Sequence, residues 1–314
     1  MNIYKDFNEI EKNPNSIVTV GTFDGVHRGH QLIIKRLLEI SKHNNLRHLL
    51  ITFDPHPQIV LQKADRKQIF LLTTIEERLK LFQSFGIENV LIIPFSNEFA
   101  NIDAKDFIIE YLVKKVGLHS LLIGYDHLFG KNRQGNEDLL KGLSLEHNFS
   151  IEKIKAFQEN ELIISSTILR NLILTKQVEQ ANQLLGYPYF VEDIVVEGSK
   201  RGRKLGFPTL NFSFSNKYKL IPSQGVYFVS TEMDCKTIYG MASIGVRPTF
   251  EDEGELLLEV HLFDFNRDLY GKKVSVNFHK FIREEKKFNS TEEIIAQLEE
   301  DKRICKELSA VETQ

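Results

Sequence analysis

The sequence predicts an α/β amino-terminal half and an all-β carboxyl-terminal half closed by one helix, and three observations carry that reading. Short β-rich runs alternate with helix-period segments through the first half. After about Tyr187 short strands follow one another with turns between them. Three polar segments rich in Gly or Pro come directly after apolar runs of the first half, where a parallel sheet presents its ligand-binding edge.

In chain order, the runs "SIVTVGTF", "HLLITF", "NVLIIPF" and "SLLIGY" are nearly continuous in apolar residues, as strands covered on both faces are. The segments "GHQLIIKRLLEISKHN", "TTIEERLKLFQSFG" and "DAKDFIIEYLVKKVG" carry the helical period between them, which predicts a parallel sheet with helices on both sides. Gly186 and Pro188 break the next helical pattern in "ANQLLGYPYF", so the expected domains are 1–186 and 187–314. Beyond that break "YPYFVEDIVVEG", "GVYFVSTEM", "KTIYGMASIGV", "ELLLEVHLFDF" and "KKVSVNFHKFI" read as strands of an antiparallel barrel or sandwich, and "TEEIIAQLEEDKRICKEL" as the closing helix.

Composition narrows the function classes. The chain has 314 residues, 42% hydrophobic and 26% charged, with a formal net charge of −3. That balance argues against a general nucleic-acid binder, and the cluster Lys200, Arg201, Arg203 and Lys204 is too short to change it. No apolar run approaches the ~18 residues of a membrane span. Cys235 and Cys305 lie far apart without metal-ligand spacing, and the N-terminus lacks a signal-peptide pattern, so a cytoplasmic protein with no nucleic-acid or membrane partner is expected.

The stretch "GTFDGVHRGH" concentrates the chemistry of the first half. Its glycines permit sharp turns and close approach of a ligand, and His27 and His30 share a face at the start of the following helix. A helix start is an anion site, to which two imidazoles add donors. The loop is neither a Walker A loop nor G-x-G-x-x-G. Zinc is disfavoured, because no third ligand lies at a usual spacing, although folding could bring His56 close. "DPHP" follows the second strand and "GYDHLFGKNRQG" the fourth. In "ISSTILRNLI" Ser165 or Ser166 can cap a helix, with Thr167 in its first turn and Arg170 three residues on, a pattern that an ordinary capped helix shares.

In the second half "GSKRGRKLGFPTLNF" offers a basic, Gly-rich turn before an extended segment. Thr209 and Asn211 fall on one face of it, two neutral oxygen ligands of the kind Mg²⁺ takes beside phosphate and water. In "ELLLEVHLFDF" Leu256, Leu258, Val260 and Leu262 form an apolar face, while Glu259 and His261 lie on the other. Glu259 there is either a solvated strand position or a base for a hydroxyl nucleophile.

"GTFDGVHRGH" with "SSTILR" resembles the HxGH nucleotidyltransferase superfamily, and "TFDPHP" and "GYDHLFG" narrow the likeness to its FAD synthetase branch. "GRKLGFPTLN", "GVYFV", "IGVRPTF", "EVHLFDFNRDLYGKKVSVNF" and "FIREEKKF" are similar to the riboflavin kinase domain of the bifunctional bacterial enzyme. The match runs from Val18 to about Asp301. It implies a Rossmann-like nucleotidyltransferase domain followed by a Greek-key barrel with a terminal helix. The implied reactions are phosphorylation of riboflavin to FMN and transfer of AMP from ATP to FMN, with Mg²⁺ as cofactor, ATP as co-substrate in both steps, and self-association among the partner expectations.

By that resemblance His27 and His30 bind the ATP phosphates, and Gly21, Phe23, Asp24, Gly25 and Gly29 form the nucleotide loop. Gly124 and Asp126 sit beside adenosine, and Ser166, Thr167 and Arg170 hold the departing phosphates. Asp54 and His56 face the flavin or the nucleotide. In the barrel Thr209 and Asn211 ligate Mg²⁺, Glu259 takes the hydroxyl proton, Gly198, Gly202, Arg203 and Gly206 shape a nucleotide flap, and Arg283 lies near the flavin. Three positions depart from the family pattern: Leu210 stands for a usual alanine, Ser243 for an amide and His127 for a phenylalanine. Two other readings compete, a nucleotidyltransferase for another phosphorylated acceptor and a flavin-binding regulator without catalysis. The first has no use for a kinase-like barrel. The second has no use for so full a set of reactive residues.

Overall fold

The computed structural model describes residues 1–62, 68–125, 130, 135–154, 158–159, 162–198, 201–247 and 255–312. The chain divides into two compact units, Met1–Ser166 and Thr167–Gln314.

The first unit is built on a six-stranded parallel sheet. Its strands are β1 (Asn2–Tyr4), β2 (Ser16–Val20), β3 (Arg47–Phe53), β4 (Asn89–Ile93), β5 (Leu118–Ile123) and β6 (Ser150–Lys153), in the order β1-β4-β3-β2-β5-β6. Adjacent residues bury opposite faces, as a strand's alternation requires. Val18, Leu49, Leu91 and Leu121 enter one core with Phe107, Leu112, Leu140 and Leu143. Ile17, Leu50, Val90 and Leu122 enter the other with Ile34, Leu37 and Phe82. The helices Arg28–Asn44 and Ile75–Ser84 therefore cover one face, and Phe107–Val116, wound as a π-helix, and Glu137–His147 cover the other. The strands β1 and β6 escaped the sequence reading because each is a short edge strand. A two-stranded pair, β7 (Gln158–Glu159) with β8 (Leu162–Ile163), completes the unit.

The strand order places the site. From β2 the chain runs outward through β3 to β4, then returns to the other side of β2 to form β5. That reversal opens a crevice at the carboxyl ends of β2 and β5. Thr19 pairs with Leu122, so Gly21 and Gly124 both lie just past the ends of these neighbouring strands.

The second unit is a closed antiparallel barrel, which decides between the barrel and the sandwich. Its strands are β9 (Tyr189–Val196), β10 (Leu210–Ser213), β11 (Gly225–Met233), β12 (Lys236–Arg247), β13 (Glu255–Leu262) and β14 (Lys273–Arg283), in the order β10-β13-β12-β11-β14-β9. Paired inward positions such as Phe212 with Leu258, Leu258 with Ile244, and Val191 with Val276 fill its interior. The terminal helix Thr291–Glu312 buries Cys305 against Phe207, Phe228, Met241 and Phe263 on the outer face. Among the described residues no helix is long and apolar enough to cross a membrane.

The helices Ser166–Leu174 and Val178–Leu185 pack with the barrel, although the break in the sequence pattern falls after them. Asn182 Nδ2 donates to the Phe278 carbonyl at 2.8 Å, and Asn182 Oδ1 accepts from the Tyr189 N–H at 2.7 Å. The Ser223 hydroxyl donates to the Leu174 carbonyl at 2.6 Å, and Lys280 pairs with Glu179 at 2.9 Å.

One buried ion pair ties the terminal helix to β14. Arg283 Nε donates to both oxygens of the fully buried Asp301 carboxylate at 2.8 and 3.1 Å, and Nη2 donates to one of them at 2.7 Å. Gln297 Nε2 donates to the same carboxylate at 3.0 Å. Asp301→Ala leaves the guanidinium without its partner and is expected to destabilise the barrel unit by about 3 kcal/mol or more. The double variant Arg283→Met/Asp301→Leu should recover most of that loss in urea unfolding. A single variant as stable as the wild type would show that the pair contributes nothing.

Candidate active sites

The loop after β2 is bent by its own sequence. Phe23, Gly25 and Val26 have φ of 50°, 79° and 35°, two of them in a conformation that ordinary residues avoid. Hydrogen bonds to Asp24 hold the bend. Its buried carboxylate accepts from the Leu72 and Thr73 N–H groups at 3.1 and 3.0 Å and from the Thr73 hydroxyl at 3.2 Å. Thr73 Oγ1 in turn accepts from the Gly25 N–H at 3.0 Å. A Cβ on Gly25 would stand 2.6 Å from Leu72 Cδ1. Asp24, expected among the nucleotide contacts, thus braces the loop. Phe23 is a core residue whose ring packs on His30 and Phe82, with centroids 5.1 and 5.7 Å away.

Above that base stand the two histidines. His27 is the N-cap of the helix Arg28–Asn44, and Gly29 is its second residue. The imidazoles stack at 3.8 Å with 17° between their planes. Both Nδ1 atoms are buried, and neither has a hydrogen-bond partner among the described residues. Burial lowers the His27 pKa to about 4 against the opposing pull of Asp24. Burial, reinforced by His27 and then Arg78, holds His30 well below the ordinary imidazole range. Both rings are therefore neutral at pH 7, and each carries one N–H donor at the positive end of a helix.

One other expected residue, Ser166, meets this loop within the first unit. The Ser166 hydroxyl donates to the Asp24 carbonyl at 3.0 Å, which joins the second motif to the first. Thr167 and Arg170 continue along the helix that Ser166 begins, one turn apart, and belong to the second unit. Gly124 lies past the end of β5, where a Cβ would meet Ile33 Cδ1 at 3.4 Å. Asp126 and His127 lie outside the described residues. Asp54 follows the end of β3, its pKa raised by burial against the pull of Arg78. His56 is used locally, its Nδ1 accepting from the Gln58 N–H at 3.1 Å to cap a helical turn.

Sequence reading missed Thr73 and Arg78. The signal was present in "TTIEER": Thr74 and Glu77 form a reciprocal capping box, and Arg78 is the next residue. Arg78 is completely buried beside the loop.

The second site is set by strand register. Asn211 on β10 lies directly opposite Glu259 on β13, and Glu259 directly opposite Ser243 on β12. These three share the outer face, since Phe212, Leu258 and Ile244 next to them fill the interior. The Asn211 carboxamide donates to Thr209 Oγ1 and to the Thr209 carbonyl, each at 3.4 Å, so the two proposed ligands adjoin. A Cβ on Gly198 would lie 2.3 Å from the Asn211 carboxamide carbon, and one on Gly202 would lie 2.3 Å from the Phe207 carbonyl oxygen and 3.4 Å from Thr209 Oγ1. Gly198 is required by close approach to the Asn211 carboxamide, and Gly202 by close approach to the Phe207 backbone. Gly206 has φ of 87° with open space around it, and Arg203 is exposed on the same turn. Arg283, expected near the flavin, spends its Nε and Nη2 on Asp301.

A hydroxyl, a carboxamide and a nearby carboxylate are hard oxygen donors that fit Mg²⁺ sharing phosphate oxygens and water. Among the described residues no cluster of three His, Cys, Asp or Glu could hold a metal.

The histidine pair predicts an acid sensitivity. An unfolded imidazole titrates near 6.5 and folded His27 near 4, so between these values the unfolded chain binds more protons and stability rises with pH. The stabilisation is complete above 6.5 and drains as the pH falls toward 4. Between pH 6.5 and about pH 5 the first unit should lose about 2 kcal/mol through His27. His27→Gln should flatten that slope in urea unfolding; equal slopes in the two proteins would refute it.

Comparison with known proteins places both halves. Residues 9–168 match the FAD synthetase family model, and residues 185–309 match the riboflavin kinase model. The bifunctional riboflavin kinase/FMN adenylyltransferase of Listeria monocytogenes is 38% identical over 91% of this chain and 90% of its own length. The Bacillus subtilis protein of the same name is 35% identical over 93% and 92%. A crystal structure described as a macrolide-efflux protein from Streptococcus pneumoniae superposes with a TM-score of 0.87 at 30% identity, covering 97% of this chain and 98% of that one.

Proposed function

We propose how the reactions divide among residues from one premise: this chain belongs to the bifunctional riboflavin kinase/FMN adenylyltransferase family, phosphorylating riboflavin with its carboxyl-terminal domain and adenylylating FMN with its amino-terminal one. Both activities use ATP. The observation that carries the proposal is the contrast between two neutral stacked imidazoles in the first site and a carboxylate set opposite Asn211 in the second.

The chemistry of each acceptor demands that contrast. FMN attacks with a phosphate oxygen that is already anionic, so adenylyl transfer needs no base. It needs stabilisation of charge as the bond to the α-phosphorus forms and pyrophosphate departs. His27 and His30 supply N–H donors for that charge, next to the helix start and the glycine loop. Ser166, Thr167 and Arg170 bind the departing phosphates, and Gly124 with Asp126 borders adenosine. Asp54 and His56 lie toward the flavin side, with His56 also fixing its own turn.

Riboflavin attacks with a neutral hydroxyl, whose proton must leave. Glu259 accepts it, and Thr209 and Asn211 hold Mg²⁺, which would neutralise charge on the transferring phosphoryl group. Gly198, Gly202, Arg203 and Gly206 shape the turn that meets the nucleotide. Ser243, next to Glu259 in the cross-strand row, is set to orient that carboxylate. Arg283 acts on the flavin side through the docking of the terminal helix.

Chromatography of flavins from the purified protein with ATP and Mg²⁺ tests the division. Glu259→Ala should lower FMN formation by about 10²–10⁴ and leave FAD formation from supplied FMN intact. His27→Ala or His30→Ala should lower FAD formation by about 10²–10³ and spare FMN formation. Loss of both activities in a folded variant would sink the two-site assignment.

Gly198→Ala separates register from chemistry, since the new methyl must displace the Asn211 carboxamide. FMN formation should fall about a hundredfold while FAD formation is unchanged. Wild-type kinase activity in that variant would remove Asn211 from the metal site.

A further inference from the structure

Arg78 has no role in the assignments above, yet it is the largest fully buried side chain among the described residues. It projects from the helix Ile75–Ser84 toward the edge of the sheet that carries the first site. Nη1 donates to the Thr22 carbonyl at 2.6 Å and to Thr52 Oγ1 at 3.1 Å, and Nη2 donates to the Phe53 carbonyl at 3.4 Å. The Thr52 hydroxyl itself donates to the Thr22 carbonyl at 3.2 Å. One guanidinium thus spans two connections, the glycine loop after β2 and the turn after β3 that leads to Asp54.

Its partners are all neutral. Among the described residues no carboxylate forms an ion pair with Arg78, and its Nε is buried without a hydrogen-bond partner. Asp24, Asp54, Glu76 and Glu77 attract it only from further away, and burial pulls its pKa down. A cation buried this way costs folding free energy that an apolar side chain of similar reach would not. Such a cost is retained where the field of the charge is used, and a group that feels it is the His30 imidazole at a helix start.

We propose that Arg78 is a positioning residue for adenylyl transfer: its guanidinium locks the histidine loop to the Asp54 turn, and its unpaired charge adds to the field that draws the ATP phosphates to that edge. The inference rests on the assignment of FMN adenylylation to the first unit. The charge also disfavours protonation of His30, as does neighbouring His27, while Asp24 pulls His27 the other way. Arg78 would add to the burial that keeps His30 a neutral donor, without touching substrate.

The test uses the full chain with two substitutions, both flavin assays, and histidine NMR titration. Arg78→Gln removes the charge. Arg78→Lys keeps the charge but cannot reproduce the fork. For Arg78→Gln the expected results are a KM for ATP in FAD formation raised about tenfold, unchanged FMN formation, and upward-shifted titration of His30. Arg78→Lys should keep the KM for ATP within about threefold of wild type while kcat for FAD formation falls below wild type, since only the fork is missing.

A wild-type protein that forms no FAD from FMN overturns the site assignment and this inference together. Wild-type activity with an equally active Arg78→Gln variant overturns the inference alone. If both variants lose FAD formation along with cooperative unfolding of the first unit, Arg78 is a core strut and the inference fails. It fails as well if the two variants shift KM for ATP and histidine titration equally.

Discussion

The Asp24 carboxylate is buried at the carboxyl end of β2, where three hydrogen bonds from Leu72 and Thr73 oblige the loop to keep its left-handed residues Phe23, Gly25 and Val26. A turn with φ of 50° at a phenylalanine persists only if its surroundings over-determine it. Here the Asp24 side chain fixes one flank, and its carbonyl receives the Ser166 hydroxyl. Phe23 is pushed under His30, and the imidazoles are left stacked at the helix start. The arrangement of the first site follows from that single anchoring.

The barrel reaches a comparable precision by register. In an antiparallel pair a slip of one residue would turn Glu259 toward the interior and Leu258 toward solvent. The apolar positions Phe212, Leu258, Ile244 and Ala242 forbid that slip, because each must stay inside. The same burial that stabilises the barrel therefore sets Asn211 opposite Glu259. The Gly198 backbone then comes close to Asn211 in that row, at a distance where a methyl group could not stand.

The sheet and the barrel were legible because they depend on local pattern, and so were the motifs that single out candidate site residues. Alternation marks strands, and the histidine loop is dense in residues that a plain connection does not need. Arg78 was not legible, because an arginine on an amphipathic helix normally faces solvent and only tertiary packing buries this one. Arg283 carried the flavin expectation from motif position, and nothing in "FIREEKKF" discloses that Asp301, on another element, claims its guanidinium. The helices between Ser166 and Leu185 follow the first sheet in sequence, yet beyond Ser166 the hydrogen bonds of Leu174 and Asn182 run to β9, β14 and the segment before β11. Sequence adjacency names the pattern break; it does not say which core receives a helix.

The two sites also answer one electrostatic question in opposite ways. Each must hold a polyphosphate, but only the kinase must first remove a proton from its acceptor. A carboxylate near polyphosphate repels it and is tolerable where a metal ion and a proton to be taken offset that repulsion. In the first site a charged base would gain nothing, since the attacking oxygen is already an anion. There the Asp24 carboxylate is turned inward onto backbone N–H groups, while two neutral imidazoles stack at the helix start. On the proposed division of roles, the same residue types take different places because the acceptors differ by one proton.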